Sequence, residues 1–313
     1  MTAQEGATGA NDPKGDERQG NITLYHYLRA LVRDPIVLFS VLFLLALLIC
    51  ALFAPWIAPH DPMQQNILGG QRQPPWTQIS VRGEEKFFIL GTDELGRDVF
   101  SRLIFGARVS VAVAVVGVIF SGALGVTLGL LAGFYGGRTD DLVMRAVDGF
   151  MAIPSLLIAL FVLFIFGGGL VNLVLVFALV RWMVYARMTR GLVMNLRETP
   201  MIDSARAVGA SDRRIIFRHI LPNIASPLLV LFTLELALLI LAEAALSFLG
   251  FGIQPPEASW GRMISVGRGY IREAWWLVTL PGLAIFLTTL SLNLLANWLR
   301  TVTDPVQRWR WLT

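Results

Sequence analysis

Long apolar runs separated by polar connectors dominate this chain. Six stretches read as candidate membrane spans, for which a bilayer needs about 20 apolar residues. They are about Ile36–Ile57, Val109–Gly133, Met151–Phe166, Leu170–Tyr185, Ala225–Leu246 and Trp276–Leu299. The third is short unless it begins near Leu142, and the fourth contains Arg181. The expected fold class is an all-α integral membrane protein with six transmembrane helices. The first stretch does not read as a cleavable signal, because a long polar segment with Asp12, Asp16 and Glu17 precedes it.

One polar island breaks the apolar pattern mid-chain. Residues 196–222, LRETPMIDSARAVGASDRRIIFRHILP, carry Arg197, Arg206, Arg213, Arg214 and Arg218. The pattern predicts two short helices. The first runs from about Glu198 to Val208, with Ile202, Ala205 and Val208 on one face. Gly209 ends it as a C-terminal glycine would. Ser211 and Asp212 start the second, and Pro222 closes or redirects it. Arginines in such a loop can simply fix topology and meet anionic lipid. A rigid helix–Gly–helix unit is instead suited to docking another protein.

Composition confirms the class. The chain is 55% apolar and only 15% charged, against about 25% charged residues in soluble domains. With a cytoplasmic N-terminus and six spans, 16 Lys/Arg fall in inside segments, nine fall outside, and Arg181 completes the 26. That bias places both termini and the Arg-rich island on the cytoplasmic side. The single cysteine, Cys50, lies in the first span and excludes a disulfide framework. His26, His60 and His219 are scattered, and no His/Cys/carboxylate cluster has metal-ligand spacing. The only lysines, Lys14 and Lys86, follow no glycine, so no phosphate-binding Gly-Lys-Ser/Thr loop exists. The chain is therefore not an enzyme with its own ATPase site. If ATP drives it, the nucleotide sits on a partner.

The remaining segments add detail. Residues 1–20 are polar and read as disordered, and residues 21–34 read as a short amphipathic surface helix. Ala58–Glu85 is a Pro/Gln-rich outside loop without helical periodicity. In ILGTDELGRDVFSRLIFGARVS, the Gly91-Thr92-Asp93 turn can cap a helix through Glu94 onward. Ser121, Gly125, Gly129 and Gly133 recur four apart and allow close helix approach, either within the chain or at a subunit pairing face. Pro154 should kink the third span, as mere shape or as a hinge. The loop Gly250–Arg272, with Pro255-Pro256 and Ser259-Trp260-Gly261, is expected to fold back between the spans on the outer side. Arg181, Glu235 and Glu243 lie inside spans and need partners or water. The two glutamates are eight apart, about 80° around a helix, so both can face one side. Structural support, a pore lining and proton relay all remain open for them.

The island resembles the cytoplasmic EAA loop of bacterial ABC-importer permeases. Asp203-Ser204-Ala205, Gly209 and Ile220-Leu221-Pro222 keep that pattern's spacing, with Asp for Glu, Ser for the first Ala and His219 where Ile is usual. Gly91-Thr92-Asp93, Gly96-Arg97-Asp98, Ser101-Arg102 and Gly106-Ala107-Arg108 resemble a signature of the C-type permease in the dipeptide/oligopeptide/nickel branch. So do the segment AEAALSFLGFGIQPPEASWG and the Asp304-Pro305 ending. The resemblance spans roughly Leu24 to Pro305. It implies a permease fold with a cytoplasmic coupling-helix loop. The implied organisation is a cytoplasmic tail (1–34), a first span and outer loop (35–108), a permease core with the loop at 196–222 (109–300) and a cytoplasmic tail (301–313). The implied partners are a B-type permease, two ABC ATPase subunits that bind the ATP, and an extracytoplasmic solute-binding protein, all at the bacterial inner membrane. The solute class is di/oligopeptides, or a related solute such as a nickel chelate or an opine. Nucleic acid is not among the partners. The alternative is a proton-coupled secondary transporter using Glu235 and Glu243.

Overall fold

The computed structural model describes residue 29, residues 31–81 and residues 83–303. Most of the expected N-terminal surface helix and the Asp304-Pro305 ending lie outside these residues. Helix α1 spans Pro35–Leu52, opened by Asp34, whose side chain accepts from Ile36 N at 3.0 Å and Val37 N at 3.2 Å. A one-turn helix α2, Ala54–Ile57, follows. The loop that follows contains an antiparallel hairpin, β1 (Thr77–Val81) and β2 (Glu84–Phe88), paired from Thr77↔Phe88 to Val81↔Glu84. Helical periodicity carries no sign of this small sheet. The segments TQISV and EEKFF are too short and mixed to stand out.

Helix α3, Val99–Tyr135, begins five residues later than the Gly91–Asp93 turn suggests. The reason is local. Asp98 is the residue that caps it, accepting from Phe100 N at 3.3 Å and Ser101 N at 3.0 Å. Asp93 uses its side chain instead to close a tight turn onto Leu95 N and Arg97 N, both at 2.9 Å. Helices α4 (Gly137–Met151) and α5 (Ser155–Phe166) replace the expected third span and meet at 81°. Pro154 therefore breaks the helix rather than kinking it. Its ring disfavours helical geometry at Ile153 and its nitrogen donates nothing.

Helix α6, Leu170–Arg197, runs well past Tyr185. Its polar end stays helical because Arg190 grips Asp140 of α4, with Nη2–Oδ2 at 2.6 Å, and Arg187 pairs with Asp148. Among the described residues, five helices are long and apolar enough to cross a membrane, or six if the bent α4–α5 pair counts as one span.

The stripe Ser121–Gly125–Gly129–Gly133 faces α6 of the same chain. Gly125 lies under Trp182 and Tyr185, and Gly129 lies under Ala186 and Thr189. A methyl on Gly133 would sit 2.8 Å from Val193 Cβ. Close approach thus offsets what these glycines cost the helix. Helix α9 (Leu221–Phe248) packs on α3 and on α11 (Trp276–Thr303), and α1 flanks α11. The short helix α10 (Trp260–Gly267) re-enters between α9 and α11. Its Trp260 is buried and donates from Nε1 to Leu103 O at 3.0 Å.

Candidate functional site: the polar helix pair and the buried charges

The island forms helix α7, Pro200–Ala207, and helix α8, Asp212–Ile215. Between them Gly209 takes φ +77°. Gly209 N donates to Arg206 O at 2.9 Å and Ala210 N to Ala205 O at 3.0 Å. That pair of bonds is a Schellman ending, which needs a left-handed residue at this position.

The second helix does not stop at Pro222. A π-helical turn, Ile216–Ile220, carries α8 directly into α9. Leu221 N reaches back five residues to Ile216 O. The wider turn and the place of Pro222 in the first turn of α9 accommodate its missing N–H. The island is thus rigidly continuous with a membrane span.

Its underside is apolar. Ile202, Ile215 and Ile220 are fully buried against Val193 of α6, Leu130 and Phe134 of α3, and Ile224 of α9. Ala205 joins them, whereas Val208 is 84% exposed and does not share the face expected of it. Val208 follows the last helical residue, so it no longer obeys the helix period. The tip presents Asp203, Ser204, Arg206, Val208 and Gly209, with Arg213 and Arg214 beside it. Of the pattern residues, Ala205 and Ile220 are anchors, Leu221 is half-buried, and Asp203, Ser204, Gly209 and Pro222 are exposed. The anchoring Ile215 and Ile216 carried a sequence signal, as paired apolar residues among arginines, but the motif does not contain them.

The three charges inside spans are separated into two sites. Arg181 of α6 holds Glu235 of α9 in a bidentate pair, Nε to Oε2 at 2.7 Å and Nη2 to Oε1 at 2.5 Å. Glu243 accepts from Ser110 Oγ of α3 at 2.8 Å and Ser247 Oγ at 2.6 Å. Ser247 Oγ in turn accepts from Ile253 N at 3.1 Å and lies 3.3 Å from Ser259 Oγ. Glu243 therefore ties α3, α9 and the re-entrant loop together. Both carboxylates are buried within the chain and each has its own partners. Ser110 lies 133 residues from Glu243, and no local signal joins them.

Before α3, Arg97 binds Asp93 (Nε–Oδ2, 2.7 Å) and Glu94 (Nη2–Oε1, 2.6 Å), and Arg102 Nε lies 3.3 Å from Asp93 Oδ2. Burial, and then the neighbouring Asp93 carboxylate, push the Glu94 carboxyl above the usual glutamate range. Trp276 Nε1 donates to Thr92 O at 3.3 Å, locking this turn onto the start of α11.

Residues 125–309, more than half of the chain and all of the helix pair, match the family described as binding-protein-dependent transport system inner membrane component. The chain belongs to this family. It is a multi-pass membrane permease subunit of an ABC importer, and it works with ATPase and permease partners. Residues 26–75 of the permease also match the N-terminal TM domain of oligopeptide transport permease C. The permease is 45% identical to the di/tripeptide transport system permease protein DppC of Pseudomonas aeruginosa, over 85% of this chain and 86% of that one. It is 39% identical to the dipeptide transport system permease protein DppC of Haemophilus influenzae, over 86% and 90%. It is 38% identical to the glutathione transport system permease protein GsiD of Pectobacterium atrosepticum, over 89% and 90%.

Proposed function

We propose that this permease is the C-type subunit of a peptide importer in the bacterial inner membrane, and that residues 196–222 are its ATPase seat. One observation carries the seat: an exposed tip (Asp203, Arg206, Val208, Gly209) stands on a buried base (Ile202, Ile215, Ile220) that is continuous with a span. A push on the tip moves α9 directly instead of being absorbed by a loose loop. Two ATPase subunits bind the ATP and dock here. Their closure shifts the population between inward- and outward-facing states. A B-type permease completes the pathway and an extracytoplasmic binding protein delivers solute. The arginine bias supports a cytoplasmic position for both termini. Relatives named for dipeptides, tripeptides and glutathione support a solute of that class.

Reconstitution with the partner subunits and binding protein tests the reading. Dipeptide uptake should continue in the presence of an uncoupler and stop when ATP is depleted. The purified permease alone should hydrolyse no ATP. Uptake that needs a pH gradient and ignores ATP would instead indicate proton coupling through Glu235 or Glu243.

A further inference from the structure

A cavity of about 250 Å3 lies between α5, α6 and α9. Its walls include Ser155, Phe177, Leu238, Leu241 and Ala245, and Arg181 is the one charged lining residue among the described residues. Arg181 sits eleven residues after Leu170, the first residue of α6, which is about 16 Å at 1.5 Å per residue. That depth is inside a hydrocarbon layer of about 30 Å.

A charged group at this depth faces protein or water, not lipid. Glu235 accounts for only part of it. The Glu235 side chain is 3% exposed while that of Arg181 remains 23% exposed. A guanidinium has five N–H donors. Nε and Nη2 bind Glu235, and Nη1 donates to no group among the described residues. One edge of the fork is therefore free and lines a space whose other walls are mostly apolar. Leu238 and Leu241 at that space, and Ser155 at the start of α5, are themselves exposed on the isolated chain.

We propose that this cavity is a subsite on the solute path, and that the free edge of Arg181 takes the terminal carboxylate of a transiting peptide. The inference rests on the peptide-importer reading and adds to it a residue and a chemical requirement. The guanidinium edge is suited to a carboxylate. Phe177, Leu238 and Leu241 accept the adjoining side chain by apolar contact, which is tolerant of its identity. The cavity is smaller than the roughly 300 Å3 at which drug-sized pockets begin, so it holds one end of a solute and not the whole. Glu235 aims the guanidinium and offsets its charge. The carboxylate then binds weakly enough to leave again, as transport requires.

The test uses the complete transporter in proteoliposomes, with its binding protein, and compares uptake of dialanine with that of dialanine amide. The binding protein is unchanged between variants, so its own preference cancels when acid-to-amide ratios are compared. The double variant Arg181→Gln/Glu235→Gln removes both charges at once and leaves two side chains able to hydrogen-bond. It should lower the acid-to-amide ratio by about tenfold or more, the loss of one charge-assisted hydrogen bond, while amide uptake is retained. Arg181→Lys keeps the ion pair with Glu235 but removes the fork, and should lower the same ratio. An unchanged ratio in Arg181→Lys and in the double variant, or acid and amide uptake falling together, overturns the subsite. If the unmodified transporter takes up neither peptide, the peptide reading fails and the subsite falls with it.

Discussion

Arg181 and Glu235 join α6 to α9 across 54 residues of sequence, with both carboxylate oxygens gripped by one guanidinium. Breaking a buried pair from one side strands the other charge, at a cost of about 3–5 kcal/mol. Glu235→Ala should therefore lower the melting temperature of the detergent-solubilised protein clearly. Arg181→Gln/Glu235→Gln should lower it less than that single change. Equal melting temperatures for Glu235→Ala and the unmodified protein would show that the pair contributes nothing.

The base of the helix pair can be separated from its tip. Ile215 is fully buried, so Ile215→Ala should cost about 2–5 kcal/mol through the cavity it leaves. Transport and ATPase co-purification should both suffer. Val208 is exposed, and Val208→Asp should leave stability within about 0.5 kcal/mol of unchanged while weakening ATPase co-purification. Normal co-purification with Val208→Asp would remove the tip from the docking surface.

Gly209 makes a finer distinction. Its φ is +77°, yet nothing lies within 4 Å of the position a Cβ would take. The constraint is backbone strain, about 1–2 kcal/mol for an ordinary residue in the left-handed region, and not a clash. Asn visits that region readily. Gly209→Asn should retain transport, and Gly209→Val should uncouple ATP hydrolysis from uptake without blocking membrane insertion. If the two variants behave alike in a coupled uptake assay, the conformational account is wrong.

The turn before α3 should respond to pH through Glu94. Its carboxyl titrates above its usual range because burial and Asp93 disfavour the charged form. Between the unfolded and folded values the native state holds more protons. Stability of the turn therefore falls as pH rises through that window. Hydrogen exchange at Leu95 and Arg97 amides, both bound to Asp93, should show protection decreasing over that window, after correction for the intrinsic rate. Glu94→Gln should flatten the trend, and a slope that persists in Glu94→Gln assigns it elsewhere.

Sequence alone determined what depends on composition and short-range pattern. Apolar runs must be hidden in lipid, so the spans and the membrane class are legible at once. Gly209 ends α7 because a Schellman turn needs a residue that tolerates positive φ, and such a requirement is written in one residue. The absence of a phosphate loop is equally local. Tertiary structure decided everything that depends on which residue meets which. Pro222 reads as a stop, yet a π turn carries the helix through it, with Ile216 and Ile220 of that turn buried in a cluster with residues of α3 and α6. The glycine stripe of α3 could have served a subunit interface, and its actual neighbour is α6 of the same chain. Glu235 and Glu243 look alike on a helical wheel. One is paired with an arginine 54 residues away, and the other accepts a hydrogen bond from a serine 133 residues away. Such partners are set by how helices cross, and helix period carries no information about the crossing.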